Sequence, residues 1–400
     1  MGFGGYRNYV VIAGKRNVGK SSTVNAIMNQ DISIVSDHPG TTTDPVYKAF
    51  ELQPIGPVTF IDTPGIDDEG LLGEMRIKRA KKAFYKADVA VLIVDDLPNE
   101  HEFFIMKQFE DMNIPYLIAV NKIDEDKEDI VEYYKNNYDV KVMGFSAKNK
   151  INIDEFKKEI VNLIPEEKEI SLLPDNIDGG DVVVMVIPID LGAPKGRLIM
   201  PQIVAIRETL DKEAIAVATK ERELRYTLDK FKELPKLVVT DSQAVMKVAS
   251  DVPEEVPLTT FSVLEARHKG DLQTLVKGVK VVERLEDNDT VIIMEGCSHR
   301  PLTEDIGTVK IPRWLTNHTG KSLNFKFISG KEFPDPEELE NAKLVIHCGG
   351  CTLTRKMMLR RIKTVTRLGI PIVNYGVLIS YLHGVLERAL EPFNEVCYED

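Results

Sequence analysis

Two groups of residues in this chain have the types and spacing to do chemistry. The first is Gly14-Lys15-Arg16-Asn17-Val18-Gly19-Lys20-Ser21, a GxxxxGK[ST] element lying between an apolar run, Tyr9 to Ala13, and a helical pattern, Ser21 to Asn29. Glycines let a backbone wrap phosphate oxygens, and amides at a helix N-terminus bind them. Lys20 reaches the β and γ phosphates, while Ser21 ligates Mg²⁺. Gly14, Asn17, Val18, Gly19 and Ser22 complete the phosphate-binding set. Further elements follow in order. Asp62-Thr63-Pro64-Gly65 ends an apolar run, where Asp62 can hold the metal's water shell and the Gly65 amide can sense the γ phosphate. Asn121-Lys122-Ile123-Asp124 ends a later run. The Asp124 carboxylate accepts from guanine N1–H and from its exocyclic amino group, a pair adenine does not offer, so the nucleotide is GTP, turned over to GDP. Ser146-Ala147-Lys148 closes over the base. Thr41, Thr42 and Thr43 lie in a Pro-Gly-flanked loop suited to a switch.

The second group is sulfur. Four cysteines, 297, 348, 351 and 397, all fall in the last quarter of 400 residues. In a reducing compartment such clustering points to metal or redox chemistry rather than to disulfide staples. Cys297-Ser298-His299 and His347-Cys348-Gly349-Gly350-Cys351 each follow an apolar run, at the carboxyl ends of strands, where open α/β sheets place ligands. Three thiolates and a nearby histidine admit two metals. Zinc is satisfied by a closed Cys₃His site. A [4Fe–4S] cluster on Cys297, Cys348 and Cys351 leaves one iron with a weaker ligand, for which His299, His347, Glu304 and Asp305 are the candidates. A CxxC is also compatible with a thiol–disulfide relay. Cys397 fits no spacing and reads as a spare thiol.

The elements that must position these groups fall into three blocks. Apolar runs Tyr9 to Ala13, Val58 to Asp62, Val89 to Asp95, Tyr116 to Asn121 and Val140 to Phe145 alternate with helical stretches. This is the pattern of a parallel sheet covered on both faces, ending in an amphipathic helix from Asn152 to Leu163. A polar tract at Glu166 to Lys168 reads as a linker, giving a GTP-binding domain over 1–168. A small α/β domain over 175–267 carries no catalytic constellation. Its strands are Val182 to Ile189, Ala214 to Ala218 and Leu237 to Thr240, and its helices Met200 to Glu208 and Glu221 to Leu234; subunit contact is the role expected of it. The block 268–400 reads as a parallel sheet bearing the cysteines, with strands Thr290 to Met294, Asn324 to Ile328, Leu344 to His347 and Pro371 to Asn374. A closing helix places Leu378, Leu382, Val385, Leu386 and Ala389 on one stripe.

Composition narrows the partners. Lys plus Arg number 51 against 63 Asp plus Glu, a formal net charge of −12. An acidic chain has no global pull toward nucleic acid or an anionic membrane. Apolar runs fall far short of the roughly 18 to 20 residues that span a bilayer, and the opening residues lack a signal-peptide layout, so a cytoplasmic protein is expected. The basic series Arg355, Lys356, Arg360, Arg361, Lys363 and Arg367 reads as a solvated helix face, or one that contacts a partner or phosphate. A symmetric homodimer is the base-rate expectation.

Residues 6 to 165 resemble the translation-factor-like GTPases of the Era and TrmE group. The relatives' Gly-Thr-Thr-Arg-Asp switch is matched by Gly40-Thr41-Thr42-Thr43-Asp44. The resemblance implies that Thr42 ligates Mg²⁺, with Thr43 replacing the Arg, and makes Lys20, Thr42 and Gly65 the catalytic set. In Ras-type switches a Gln after the DxxG glycine orients the attacking water; here that residue is Ile66, so intrinsic hydrolysis is expected to be slow. The same resemblance implies that Asn17 helps hold a K⁺ ion in place of an arginine finger; the other reading is that Asn17 caps the loop. CxH, 47 intervening residues and HCxxC behind such a GTPase resemble the HydF family of [FeFe]-hydrogenase maturation factors over all three blocks. That resemblance implies a scaffold holding a [4Fe–4S] cluster and a middle domain that dimerises. It also implies that a di-iron precursor, made with two radical-SAM enzymes, is passed to the apo-[FeFe]-hydrogenase. The alternative is a ribosome- or RNA-associated GTPase with a C-terminal zinc module.

Overall fold

The computed structural model describes residues 8–28, 44–66, 70–164, 170–188, 198–296, 305–330, 333–334, 336–393 and 396. They form two compact units, Met1–Glu167 and Lys168–Asp400.

In the first unit, strands β1 (Asn8–Ala13), β2 (Val46–Leu52), β3 (Gly56–Asp62), β4 (Val89–Val94), β5 (Tyr116–Val120) and β6 (Lys141–Gly144) make one sheet, ordered β2-β3-β1-β4-β5-β6. Every pair is parallel except β2 with β3. β4 is VAVLIV, buried at all six positions, as a central strand covered on both faces requires. The helix Ile153–Leu163 closes the domain by stacking Phe156 on Phe145, centroids 4.9 Å apart and planes 4° from parallel. β2 was not among the expected strands. Its inward face is Val46, Lys48, Phe50 and Leu52, so a lysine interrupts the apolar alternation; Lys48 Nζ is satisfied by Asn25 Oδ1 at 2.7 Å.

The second unit holds two four-stranded, all-parallel sheets. β7 (Val182–Val186), β8 (Ile215–Thr219), β9 (Leu237–Thr240) and β10 (Leu258–Thr260) are ordered β10-β9-β7-β8. β11 (Thr290–Glu295), β12 (Asn324–Ser329), β13 (Ala342–His347) and β14 (Ile372–Asn374) are ordered β12-β11-β13-β14.

Two expected helices are corrected. Of Glu221 to Leu234 only Leu224–Leu228 is helical, although Leu224, Leu228 and Phe231 still face the core. After Leu228 the chain tightens into turns, with the Lys230 amide on the Thr227 carbonyl and the Phe231 amide on the Leu228 carbonyl, each at 3.1 Å, and Pro235 disfavours any return to helix at Leu234. The closing helix is two, Tyr375–Leu382 and Leu386–Leu390, parted by Gly384 in the left-handed region at φ +70°. Leu378, Leu386 and Ala389 remain buried, so the stripe survives the break. No described helix is long and apolar enough to cross a membrane.

Gly278, inside the helix Leu272–Val279, shows how tightly the cysteine-bearing sheet is covered. A Cβ there would lie 1.9 Å from the Ile372 carbonyl oxygen of β14, a backbone atom with nowhere to go. Gly278→Ala is expected to lower stability by about 2 kcal/mol, read as a lower melting temperature; an unchanged melting temperature would contradict this packing.

Candidate functional site

The phosphate loop turns on two glycines. Gly14 sits at φ +145°, and a Cβ would lie 2.3 Å from the Ile93 carbonyl oxygen; Gly19 sits at φ +95°, and a Cβ would lie 2.2 Å from Asn121 Nδ2. Only glycine fits either place. Lys20 folds its ammonium back onto the carbonyls of Gly14, at 3.0 Å, and Lys15, the region where phosphate oxygens lie in such loops. Ser21 Oγ donates to Asp62 Oδ2 at 2.5 Å. Burial raises the Asp62 pKa, opposed by the Ser21 hydrogen bond and by Lys20 and Lys48. A hydroxyl backed by a carboxylate is the arrangement that holds Mg²⁺ and its water shell. Gly65 is buried, as is Ile66 at 2 % exposure, so the Ile66 side chain does not reach out to orient water.

Asn121 joins the two halves of the site. Its Nδ2 donates to the Val18 carbonyl at 2.8 Å, and its Oδ1 accepts from the Ala147 amide at 3.0 Å. One side chain thereby fixes the phosphate loop against Ser146-Ala147-Lys148. Asp124 is exposed, and its pKa is lowered first by a hydrogen bond from Ser146, then by its own backbone and by Lys148. Asn149 Nδ2 donates to Asp124 Oδ2 at 2.9 Å. Lys122 adopts φ +63° and pairs with Asp95 at 2.5 Å. Three residues were not anticipated: Asp95, Asn149 and Glu102. Glu102, 1 % exposed, pairs with Lys15 at 3.1 Å and accepts the Asn99 amide, completing a capping box. The Asn99-x-x-Glu102 spacing was the available signal. Thr42 lies outside the described residues.

In the second unit, β11 and β13 are parallel neighbours whose carboxyl ends meet. The Cys348 amide donates to the Met294 carbonyl at 2.8 Å, the Gly296 amide donates to Cys348 Sγ at 3.1 Å, and Thr352 Oγ1 donates to the Gly296 carbonyl at 3.1 Å. Gly350, immediately before Cys351, takes a left-handed turn at φ +66°. Cys348 and Cys351 are half-buried free thiols. Lys269, itself buried and paired with buried Glu265 at 3.3 Å, donates to the Cys351 carbonyl at 3.2 Å. Tyr375 donates to Glu295 Oε1 at 3.1 Å; burial and the Cys348 thiolate push its pKa far up. Cys297, His299, Glu304 and Cys397 lie outside the described residues. Among the described residues no three His, Cys, Asp or Glu side chains gather as a metal site.

Two sequence expectations change here. His347 is fully buried with both ring nitrogens engaged: Nδ1 lies 2.7 Å from the Cys348 carbonyl and Nε2 lies 2.9 Å from Arg361 Nη1. It braces the loop and has no nitrogen left for a metal. Desolvation and Arg361 bring its pKa down to about 3. Asp305 Oδ2 caps the turn Ile306–Lys310, accepting from the amide and hydroxyl of Thr308 at 2.8 and 2.9 Å. The basic helix Arg355–Arg367 is not merely a solvated face either. Arg361 is 3 % exposed, and Arg355 Nη1 gathers the carbonyls of Arg267, His268 and Gly270 at 3.3, 2.6 and 3.2 Å; Lys363 and Arg367 are the exposed members.

Residues 9–122 match a family described as 50S ribosome-binding GTPase, residues 172–270 the Hydrogen maturase F dimerization domain and residues 273–392 the Hydrogen maturase F tetramerization domain. GTPase Era of Alkaliphilus metalliredigens is 32 % identical over 166 residues, and that of Clostridium botulinum 33 %, each match covering 40 % of this chain and 56 % of the relative. The chain thus spans little more than half the length of these curated relatives. Among solved structures, Era of Aquifex aeolicus bound to GDP and AlF₄⁻ has a TM-score of 0.36 at 21 % identity, covering 56 % of this chain and 98 % of that one. The G domain of the T. maritima FeoB iron transporter has a TM-score of 0.32 at 26 % identity, covering 40 % and 99 %. Fold, phosphate loop and matched families define a P-loop GTPase domain followed by two oligomerisation domains. The order of the three matches goes further, because both C-terminal domains are named for one protein. The chain belongs to the hydrogen maturase F family. Its last domain, expected from the cysteines to be a cluster-binding module, matches a domain named for tetramerization.

Proposed function

We propose that this chain hydrolyses GTP to drive the maturation of [FeFe]-hydrogenase, holding a [4Fe–4S] cluster on Cys297, Cys348 and Cys351. Its cargo is the di-iron precursor, received through two radical-SAM enzymes and delivered to the apo-hydrogenase. One observation supports the cluster reading: the Gly296 amide lies 3.1 Å from Cys348 Sγ, so the strand that leads into the CxH motif ends beside the HCxxC motif. A backbone amide donating to a cysteine sulfur, as Gly296 does to Cys348, suits a thiolate-ligated cluster. When bound with three cysteines, such a cluster supplies an iron with an exchangeable fourth position. His299, Glu304 and Asp305 remain candidates for it, the last while its Oδ2 caps the turn that follows.

In the GTPase domain, Lys20 and Ser21 with Mg²⁺ hold the phosphates, and GTP and GDP differ in what they offer the loops around Thr42 and Gly65. That difference biases which partner docks. A ribosome-associated role with a zinc module rests on the match over 9–122 and leaves 172–392 without a part to play.

Anaerobic purification followed by an absorption spectrum and metal analysis tests the reading. About four iron and four sulfide per chain are expected; zinc alone, or a colourless metal-free dithiol, would overturn it. A separate measurement addresses Asn17, exposed at φ +62° on the phosphate loop. The family resemblance implies that Asn17 helps hold a K⁺ ion in place of an arginine finger, and on that reading turnover in K⁺ should exceed that in Na⁺ by at least about tenfold. Equal rates would leave Asn17 as a loop cap.

A further inference from the structure

Arg361 is a cation buried where a charge is costly, and the nucleotide chemistry makes no use of it. It sits on the inner face of the helix Arg355–Arg367 with Met357, Met358, Ile362 and Val365. Nη1 lies 2.9 Å from His347 Nε2, Nη2 donates to the Gly330 carbonyl at 3.2 Å, and the guanidinium lies 5.8 Å from the Phe333 ring centroid. A guanidinium only donates. His347 Nε2 is therefore the acceptor, the ring proton is on Nδ1, and Nδ1–H is donated to the Cys348 carbonyl at 2.7 Å. The imidazole is neutral and fixed in one tautomer. Its orientation delivers the Arg361 charge, through a polarised hydrogen-bond chain, to the peptide of Cys348.

This arrangement faces the residue that the proposed function makes a cluster ligand, and the inference rests on that reading. Adding one electron to a [4Fe–4S]²⁺ cluster makes the thiolate-bound centre one unit more negative. A fixed cation in a low-dielectric surround stabilises the reduced form more than the oxidised one. We propose that Arg361 is a positioning residue that, through His347 and its own buried charge, raises the reduction potential of the cluster held by Cys297, Cys348 and Cys351. The residue thereby sets how easily the centre accepts an electron while never touching iron.

The test uses the full chain, anaerobically reconstituted, with iron and sulfide assayed and the one-electron reduction by dithionite followed by electron paramagnetic resonance at controlled potentials. Arg361→Gln keeps a donor but removes the charge. The reduced-to-oxidised ratio at a fixed poise is expected to fall about tenfold, a 59 mV drop for a one-electron couple. Arg361→Lys keeps the charge and should stay within about twofold of the wild type, as should Lys363→Gln on the exposed side of the same helix. Full iron content in Arg361→Gln with an unchanged potential would overturn the inference. So would a fall in Arg361→Lys to the level expected for Arg361→Gln, which decides the matter even if the glutamine variant does not fold. Wild-type protein that takes up neither iron nor sulfide would instead remove the cluster reading, and this inference with it.

Discussion

Serine in place of Cys297, Cys348 or Cys351 is expected to reduce iron from about four atoms per chain to below one, while GTP turnover stays within about twofold of the wild type. The loss should be nearly complete because a serine hydroxyl does not ionise near neutral pH and offers iron no thiolate. Two remaining cysteines then hold a centre built for three. Cys348→Ser carries an added penalty, since the Gly296 amide loses the sulfur it donates to at 3.1 Å. Turnover should persist because the cysteines belong to the unit Lys168–Asp400, whereas Lys20, Ser21, Asp62 and Asp124 belong to Met1–Glu167. Cys397→Ser serves as the control and should retain iron. Iron and sulfide assays beside a phosphate-release assay read both arms. A single-cysteine variant that keeps its full cluster would sink the three-thiolate site, and one that lost GTP turnover as well would mean that the sulfur centre controls hydrolysis.

The parts of both sites that the sequence revealed are those in which chemistry constrains short-range spacing. Gly14, Gly19, Lys20 and Ser21 must be contiguous because one turn has to wrap one phosphate, and Cys348 and Cys351 must lie three apart to point the same way. The supporting parts are brought together by the fold, and distance along the chain hides them. Lys269 reaches the Cys351 carbonyl across 82 residues and Arg355 gathers the end of the helix Phe261–Lys269 from nearly 90 away. Composition misleads where charge is buried. Arg361 stands among exposed Lys363 and Arg367, and only the fold distinguishes it from them. His347 hides its role for the same reason: a histidine beside two cysteines has the spacing of a ligand, but the partner that occupies its second nitrogen lies 14 residues on. The lysine in β2 and the glycine that parts the last two helices are local exceptions to otherwise regular apolar patterns, each tolerated because a specific partner or turn accommodates it.

Asp124→Asn is expected to lower affinity for GTP about 1,000-fold and to confer measurable affinity for xanthosine triphosphate. Guanine offers two parallel donors on one edge, N1–H and the exocyclic amino group, and an ionised carboxylate accepts both. The Ser146 hydrogen bond, the largest influence on Asp124, holds the carboxylate in its ionised form, and Asn149 orients its second oxygen. An asparagine in the same setting retains one acceptor and presents an amide N–H to the exocyclic amino group, donor against donor. Xanthine carries a carbonyl where guanine carries that amino group, so the asparagine meets it with one acceptor for N1–H and one donor for the carbonyl. Adenine matches neither side chain. Competition binding with the three nucleoside triphosphates separates the outcomes. Loss of GTP affinity together with a gain for the xanthine nucleotide identifies Asp124 as the group that reads the base. Retained GTP affinity in Asp124→Asn, to within threefold, would mean that the base is read elsewhere and that the guanine assignment of the site fails.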